Sequence, residues 1–147
     1  MMKKFSLLVF ILLMGLSSLA CAAPSSNWVP LFSNGAATIS MDVSTFKAWP
    51  FDVPGTSCTN HKMAAAMFML DPKDADTMIM YYREYDLTCR AEHTACIAKV
   101  SRSGDIISEQ DTSGSGYKSV GSDPASQKIL GVMNAYYEAY MQAQKKQ

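Results

Sequence analysis

Residues 123–146 read DPASQKILGVMNAYYEAYMQAQKK, and this stretch decides the fold that we predict. Asp123 is a favoured N-cap residue, and Pro124 suits the first helical position because its missing N–H needs no partner there. Lys145 and Lys146 are favourable near a helix C-terminus. Between these ends, apolar residues recur at helical spacing, at Ile129, Met133, Tyr136, Tyr137 and Tyr140. The pattern predicts one long amphipathic helix.

The helix carries an aromatic stripe whose role has two interpretations. Tyr and Met are enriched in the cores of protein interfaces, which would make the stripe a partner surface. More often such a stripe packs into the protein's own core, with the tyrosine hydroxyls at its rim. We therefore predict core packing for the stripe, which consists of Tyr136, Tyr137, Tyr140 and Met141.

Upstream of the helix, turn residues separate short runs of apolar and β-branched residues. Asn34-Gly35 lies between the runs 28–32 and 36–41. Asn-Gly in this position is a strong hairpin signal because both residues accept positive φ. Residues 77–85 are rich in aromatic and branched side chains and follow a polar turn, so they also read as a strand.

A second hairpin is predicted around Ser103-Gly104, which joins the runs 95–102 and 105–109. Residues 62–70 are ambiguous because Ala and Met favour a helix, but their length and the turn that follows suit a strand, which we predict. Together, the predicted strands and helix give an α+β fold in which an antiparallel sheet of about five to six strands packs against one long C-terminal α-helix.

Length and charge restrict the class of protein. The chain has 147 residues, of which 48% are hydrophobic, and this is typical of a single globular domain and not of a disordered chain. Its 13 Lys and Arg balance its 13 Asp and Glu, so no basic excess favours binding to nucleic acid.

Residues 1–22 have the pattern of a signal peptide: Lys3 and Lys4, then an apolar run, then small residues. We expect cleavage after Ala22, which leaves a single domain at 23–147 in the periplasm or at the cell surface. The alternative is lipidation at Cys21, and only this would anchor the chain in the outer membrane.

Three cysteines remain after cleavage, and an oxidising compartment favours one disulfide between two of them. Cys89 and Cys96 would face each other across a hairpin with its tip near Glu92 and His93. Pairing of Cys58 with either of the other two is also allowed, and Cys58–Cys89 is the second favoured pair.

The same region contains the one arrangement that resembles a metal site. Cys58 and His61 are three residues apart, as are His93 and Cys96, and these are ligands that tetrahedral zinc takes. The preferred interpretation is instead that two cysteines are oxidised and both histidines are exposed loop residues. No Gly-x-Ser-x-Gly motif is present, so we predict neither an enzyme nor a cofactor.

Several ordered landmarks resemble the surface-adhesin protein E family of small exported bacterial proteins. They are Trp28-Val29, Ile39-Ser-Met-Asp42-x-Ser44, Tyr85-Asp-Leu-Thr-Cys89, Tyr117-Lys-Ser-Val120 and Pro124-x-Ser126. The resemblance covers most of the mature chain. It departs from the family in two respects: residues 97–147 contain no cysteine to pair with Cys89, which leaves Cys96 or Cys58, and Asp86 is separated from Cys89 instead of being adjacent to it.

The resemblance implies a compact sheet-plus-helix domain outside the inner membrane, with no catalytic residues to carry over. In the named member of the family it implies binding of host matrix and serum proteins such as laminin and vitronectin. We therefore expect a non-enzymatic binding module for a host matrix protein or a cell-envelope component. The alternatives are a zinc-binding envelope protein that uses Cys58, His61, His93 and Cys96, and a structural protein of envelope assembly.

Overall fold

The computed structural model describes residues 27–51 and 60–147. The predicted signal peptide, the cleavage and lipidation sites and Cys58 lie outside these residues. The described elements are β1 (Trp28–Ser33), β2 (Ala37–Phe51), β3 (His61–Pro72), β4 (Thr77–Asp86), β5 (Ala91–Ser101), β6 (Ile106–Asp111), β7 (Lys118–Ser119) and α1 (Pro124–Lys145).

The strands form one antiparallel sheet in which spatial order follows chain order, from β1 at one edge to β6 at the other. The two-residue β7 pairs with the start of β5, beyond the end of β6. The helix α1 packs against one face of this sheet. The predicted α+β fold, a sheet with one C-terminal helix, is confirmed.

Both predicted hairpins form where the turn residues indicated. In the first, the side-chain oxygen of Asn34 accepts hydrogen bonds from the N–H groups of Ala36 and Ala37, each at 2.9 Å. In the second, Gly104 has a φ of 95°, which glycine adopts without steric cost. Residues 62–70 form a strand, as predicted, because they lie within β3.

The strand β2 is longer than the sequence indicated, since it continues past residue 41 to Phe51. The pairing between β2 and β3 shifts between Asp42 and Lys47. At this irregularity the hydroxyl of Thr45 accepts a hydrogen bond from the N–H of Met67 at 2.9 Å. A side chain thus satisfies a backbone donor that the regular ladder leaves without a partner.

The predicted tip near Glu92 and His93 is wrong, because the β4–β5 turn lies at residues 87–90 and Asp86 pairs with Ala91. Cys89 is in the turn, whereas Cys96 is on β5 opposite Tyr82. The two cysteines are not joined to each other. The favoured Cys89–Cys96 pairing is therefore not formed, and the Cys58 pairings fall outside the described residues.

The helix begins as predicted, with the Asp123 carboxylate accepting a hydrogen bond from the N–H of Ser126 at 2.9 Å and Pro124 in the first turn. The aromatic stripe divides between core and rim: Tyr137 is buried, whereas Tyr140 is 36% exposed. The core between helix and sheet also contains Met41, Phe68, Tyr81, Tyr85, Ile129, Leu130 and Met133.

Successive residues of a strand point to opposite faces, so the sheet has two distinct surfaces. We call the face that packs on α1 the helix face, and on β4 it carries Tyr81, Arg83 and Tyr85. The opposite face, here called the second face, receives the alternate residues Glu84 and Asp86. The residues with candidate chemistry are on the second face and at the β6 edge.

Candidate functional site

One end of the second face gathers a histidine, a carboxylate and a thiol from three different segments. His61 is the first residue of β3, Asp86 is the last residue of β4, and Cys89 follows in the turn. His61 Nδ1 lies 2.5 Å from Asp86 Oδ2 and 3.6 Å from Cys89 Sγ. The three ligand atoms all lie within 4.8 Å of one another. We call this group the turn cluster.

The turn holds the Asp86 carboxylate in place. Its Oδ1 accepts hydrogen bonds from the N–H groups of Thr88 and Cys89, at 3.1 and 3.0 Å. Burial opposes ionisation, but the Cys89 N–H and His61 outweigh it and lower the pKa of Asp86 below its ordinary value. Asp86 is therefore a fixed anion next to His61.

This depressed pKa predicts an acid dependence of stability. The contribution of Asp86 is fully present above its unfolded pKa, about 3.9, and is lost as the pH falls through the lower pKa of the folded state. We expect Asp86→Asn to lose less stability than the wild type on acidification from pH 5 to pH 2. Urea denaturation at several pH values measures this. Asp74→Asn, on an exposed turn, is the control and should follow the wild type; equal acid dependence in Asp86→Asn contradicts the prediction.

His93 belongs to a separate group further along the second face. Its Nδ1 lies 3.5 Å from Glu84 Oε2, and its Nε2 lies 3.3 Å from the Thr112 carbonyl oxygen. The Tyr117 ring covers it at 5.2 Å between centroids, and the Tyr117 hydroxyl donates to Glu84 at 2.9 Å. His93 is buried, so the prediction that it is an exposed loop residue is wrong, and so is the same prediction for His61.

Cys96 is also buried, and its thiol donates to Glu109 at 3.4 Å. Burial first, and then this hydrogen bond, raise the pKa of the Cys96 thiol to about 12. It is thus a poor nucleophile and a poor metal ligand at neutral pH, since the thiolate performs both roles. Among the described residues, the structure does not bring His61 together with His93 and Cys96, so these three members of the alternative zinc grouping do not form one site; Cys58 lies outside the described residues.

A cavity of about 330 Å³ lies between the helix face and the first turns of α1. Its walls are mostly apolar, and Arg83 is one of two charged residues that line it. The Arg83 guanidinium already donates to Thr94 at 3.0 Å and lies 3.4 Å from a Glu92 carboxylate oxygen. The Asp123 carboxylate also lines the cavity and opposes entry of an anion. We assign no ligand to this space.

The edge strand β6 is the other unusual surface. All six of its residues are exposed, including Ile106 at 41% and Ile107 at 55%. Among the described strands it pairs only with β5, so the backbone groups on its outer side face away from the sheet. Its charged residues, Glu109 and Asp111, are both acidic.

Sequence reasoning missed Asp86 because only cysteines and histidines were considered as zinc ligands. The available signal was the Asp86-Leu-Thr-Cys89 spacing, since an Asp side chain often binds the N–H groups two and three residues later in a turn. No family model, curated protein or solved structure matches this chain. No helix among residues 27–51 and 60–147 is long and apolar enough to cross a membrane.

Proposed function

We propose that this chain is an exported, non-enzymatic binding domain that takes an extended basic segment of a protein partner along the outer side of β6. The observation that carries the proposal is the edge strand itself, six exposed residues with two isoleucines among them. A strand added to such an edge gains main-chain hydrogen bonds, while its side chains supply specificity.

The two edges of the sheet differ in a way that favours β6. The opposite edge strand, β1, contains Pro30, and its pairing with β2 shifts between Pro30 and Phe32. Proline and irregular pairing both hinder the addition of another strand. β6 contains no proline and no lysine, the residue that most often protects an edge. Its outer side is thus the better template for a partner.

Charge selects the kind of partner. Glu109 and Asp111 place two carboxylates along the strand, and Asp105 precedes it. A second copy of β6 would bring its own carboxylates into the same interface, which disfavours self-association through this edge. A segment that carries Lys or Arg between apolar residues would instead pair with the carboxylates and cover Ile107.

The resemblance to surface-adhesin protein E supports the class of partner. It implies display outside the inner membrane and binding of matrix or serum proteins such as laminin and vitronectin. A component of the bacterium's own envelope with a basic extended segment fits the same edge. Immobilised laminin, immobilised vitronectin and a short synthetic peptide of alternating Val and Lys are therefore the probes, and a Val and Glu peptide is the matched negative control.

The test compares a variant at each edge of the sheet. Ile107→Lys removes apolar surface and adds a positive charge at β6, and we expect it to weaken binding of the Val and Lys peptide about tenfold or more. Val29→Lys makes the same change on β1, where Val29 is 37% exposed, and should bind like the wild type. Binding is measured by surface plasmon resonance at two salt concentrations.

Three results would contradict the proposal. The first is that the wild type binds none of the basic probes better than the acidic peptide. The second is equal weakening by Val29→Lys and Ile107→Lys, which would place the binding surface elsewhere. The third is binding that does not weaken with salt, because attraction between exposed charges is screened.

A further inference from the structure

The turn cluster goes beyond the proposed function, since it lies at the β3–β4 end of the second face and not at the β6 edge. Its three groups are the side chains of His61, Asp86 and Cys89. Nitrogen, sulfur and carboxylate oxygen are the ligand types that zinc takes, whereas calcium and magnesium prefer oxygen alone. These three ligand types together therefore favour a borderline-soft metal ion such as zinc over calcium or magnesium.

The spacing of the nitrogen and the sulfur fits a shared metal. Zinc–nitrogen and zinc–sulfur bonds of about 2.1 and 2.3 Å at tetrahedral angles place the two ligand atoms about 3.6 Å apart. His61 Nδ1 and Cys89 Sγ are 3.6 Å apart. Asp86 Oδ2 is at hydrogen-bond distance from Nδ1, at 2.5 Å, so this contact must lengthen for a metal ion to bind both atoms.

The buried ring of His61 has one nitrogen with polar neighbours and one nitrogen without a hydrogen bond to the described residues. Among residues 27–51 and 60–147 no group hydrogen-bonds to its buried Nε2, although buried polar atoms normally have a partner. The carboxylate and the sulfur both lie on the Nδ1 side of the ring. A ring held in this orientation presents one nitrogen to a ligand.

The backbone holds the other two ligands before any metal binds. Asp86 Oδ1 is occupied by two turn N–H groups, which leaves Oδ2 directed at His61. The turn is tied to β3 because the Leu87 N–H donates to the Lys62 carbonyl at 2.8 Å. Arg90, which ends the turn, has a φ of 53° in the sparsely populated left-handed region. Such local preorganisation is what a metal site requires.

We propose that His61 Nδ1, the Asp86 carboxylate and the Cys89 thiolate form a zinc site, with a fourth position open to water or another donor. The two anionic ligands balance the 2+ charge of the ion. Zinc binds a cysteine as the thiolate, and it would have to displace the other contacts of the Cys89 sulfur. The full-length chain is therefore tested after reduction of its cysteines. Cys89 is exposed, which gives the ion a path to the site.

The test uses Co²⁺ as a spectroscopic substitute for Zn²⁺, because a cobalt–thiolate bond gives a charge-transfer absorption band. We expect the reduced protein to bind a single ion per chain with this band, and Zn²⁺ to displace it. Cys89→Ser should abolish the band, while His61→Ala and Asp86→Asn should weaken binding tenfold or more. Cys96→Ser and His93→Ala are the matched controls, and they should bind as the wild type does.

A second measurement guards against variants that fail to fold. Adding Zn²⁺ should raise the thermal midpoint of the wild type and of both control variants, since a ligand that binds only the folded state stabilises it. The inference is overturned if the wild type shows neither the band nor the stabilisation. It is also overturned if His93→Ala or Cys96→Ser removes them equally.

Discussion

Replacing Phe68 by alanine is expected to lower the free energy of unfolding by about 3–5 kcal/mol, measured by urea denaturation. Phe68 is 0% exposed and lies on β3 between the sheet and α1. Its ring stacks on the Tyr81 ring and meets the Tyr85 ring edge-on, with 5.4 Å and 6.1 Å between the ring centroids. The substitution removes apolar contacts on several sides and leaves a cavity that the rigid sheet cannot close.

Tyr140→Ala is the control for this prediction. Tyr140 is also aromatic, but it lies at the rim of the core and is 36% exposed. Its loss should cost less than about half of the Phe68→Ala effect, since the removed ring was already partly in water. If the two substitutions cost the same, then the core is not centred where the structure places it.

The second large effect is expected at Arg83. Glu92 is only 5% exposed, and the guanidinium of Arg83 lies 3.4 Å from its carboxylate. Arg83→Met keeps much of the side-chain volume but leaves the carboxylate buried without this partner. Removing one member of a buried ion pair typically costs about 3–5 kcal/mol, and we expect a loss of this size in urea denaturation at pH 7.

A double mutant separates the charge from the packing. In Arg83→Met with Glu92→Gln no buried charge remains unpaired, so most of the lost stability should return. Lys118→Met is the matched control, because Lys118 also approaches Glu92, at 3.8 Å, but its side chain is 73% exposed. This change should cost less than about 1 kcal/mol. A double mutant no more stable than Arg83→Met would refute the charge explanation.

Local signals predicted most of the fold. Asn34-Gly35 and Ser103-Gly104 each specify a tight turn through their own backbone preferences, and the Asp123-Pro124 pair specifies a helix start in the same way. The helical spacing of Ile129 and Met133 predicted the buried side of α1. Such features depend on residues close together in the chain, and so they can be read from one sequence.

Features that depend on pairing between strands could not be read in this way. The alternative zinc grouping was based on spacing along the chain, but the register places His61 next to Asp86 and places His93 next to Glu84. The shift in the β4–β5 ladder after Tyr82 adds a residue on β5. His93 and Cys96, three apart, therefore share one face, although on a regular strand they would point to opposite faces.

The chain order of the sheet has a consequence for how the protein folds. Each of the strands β2 to β6 pairs with the strand that directly precedes it, and the connections other than residues 52–60 are only three or four residues long. Closing such short loops costs little chain entropy, so pairing can spread from hairpin to hairpin at a low contact order. The helix α1 contacts β1 and β2, which lie at the opposite end of the described chain. Because such contacts close a long loop, we expect α1 to dock late and so to complete the core late in folding.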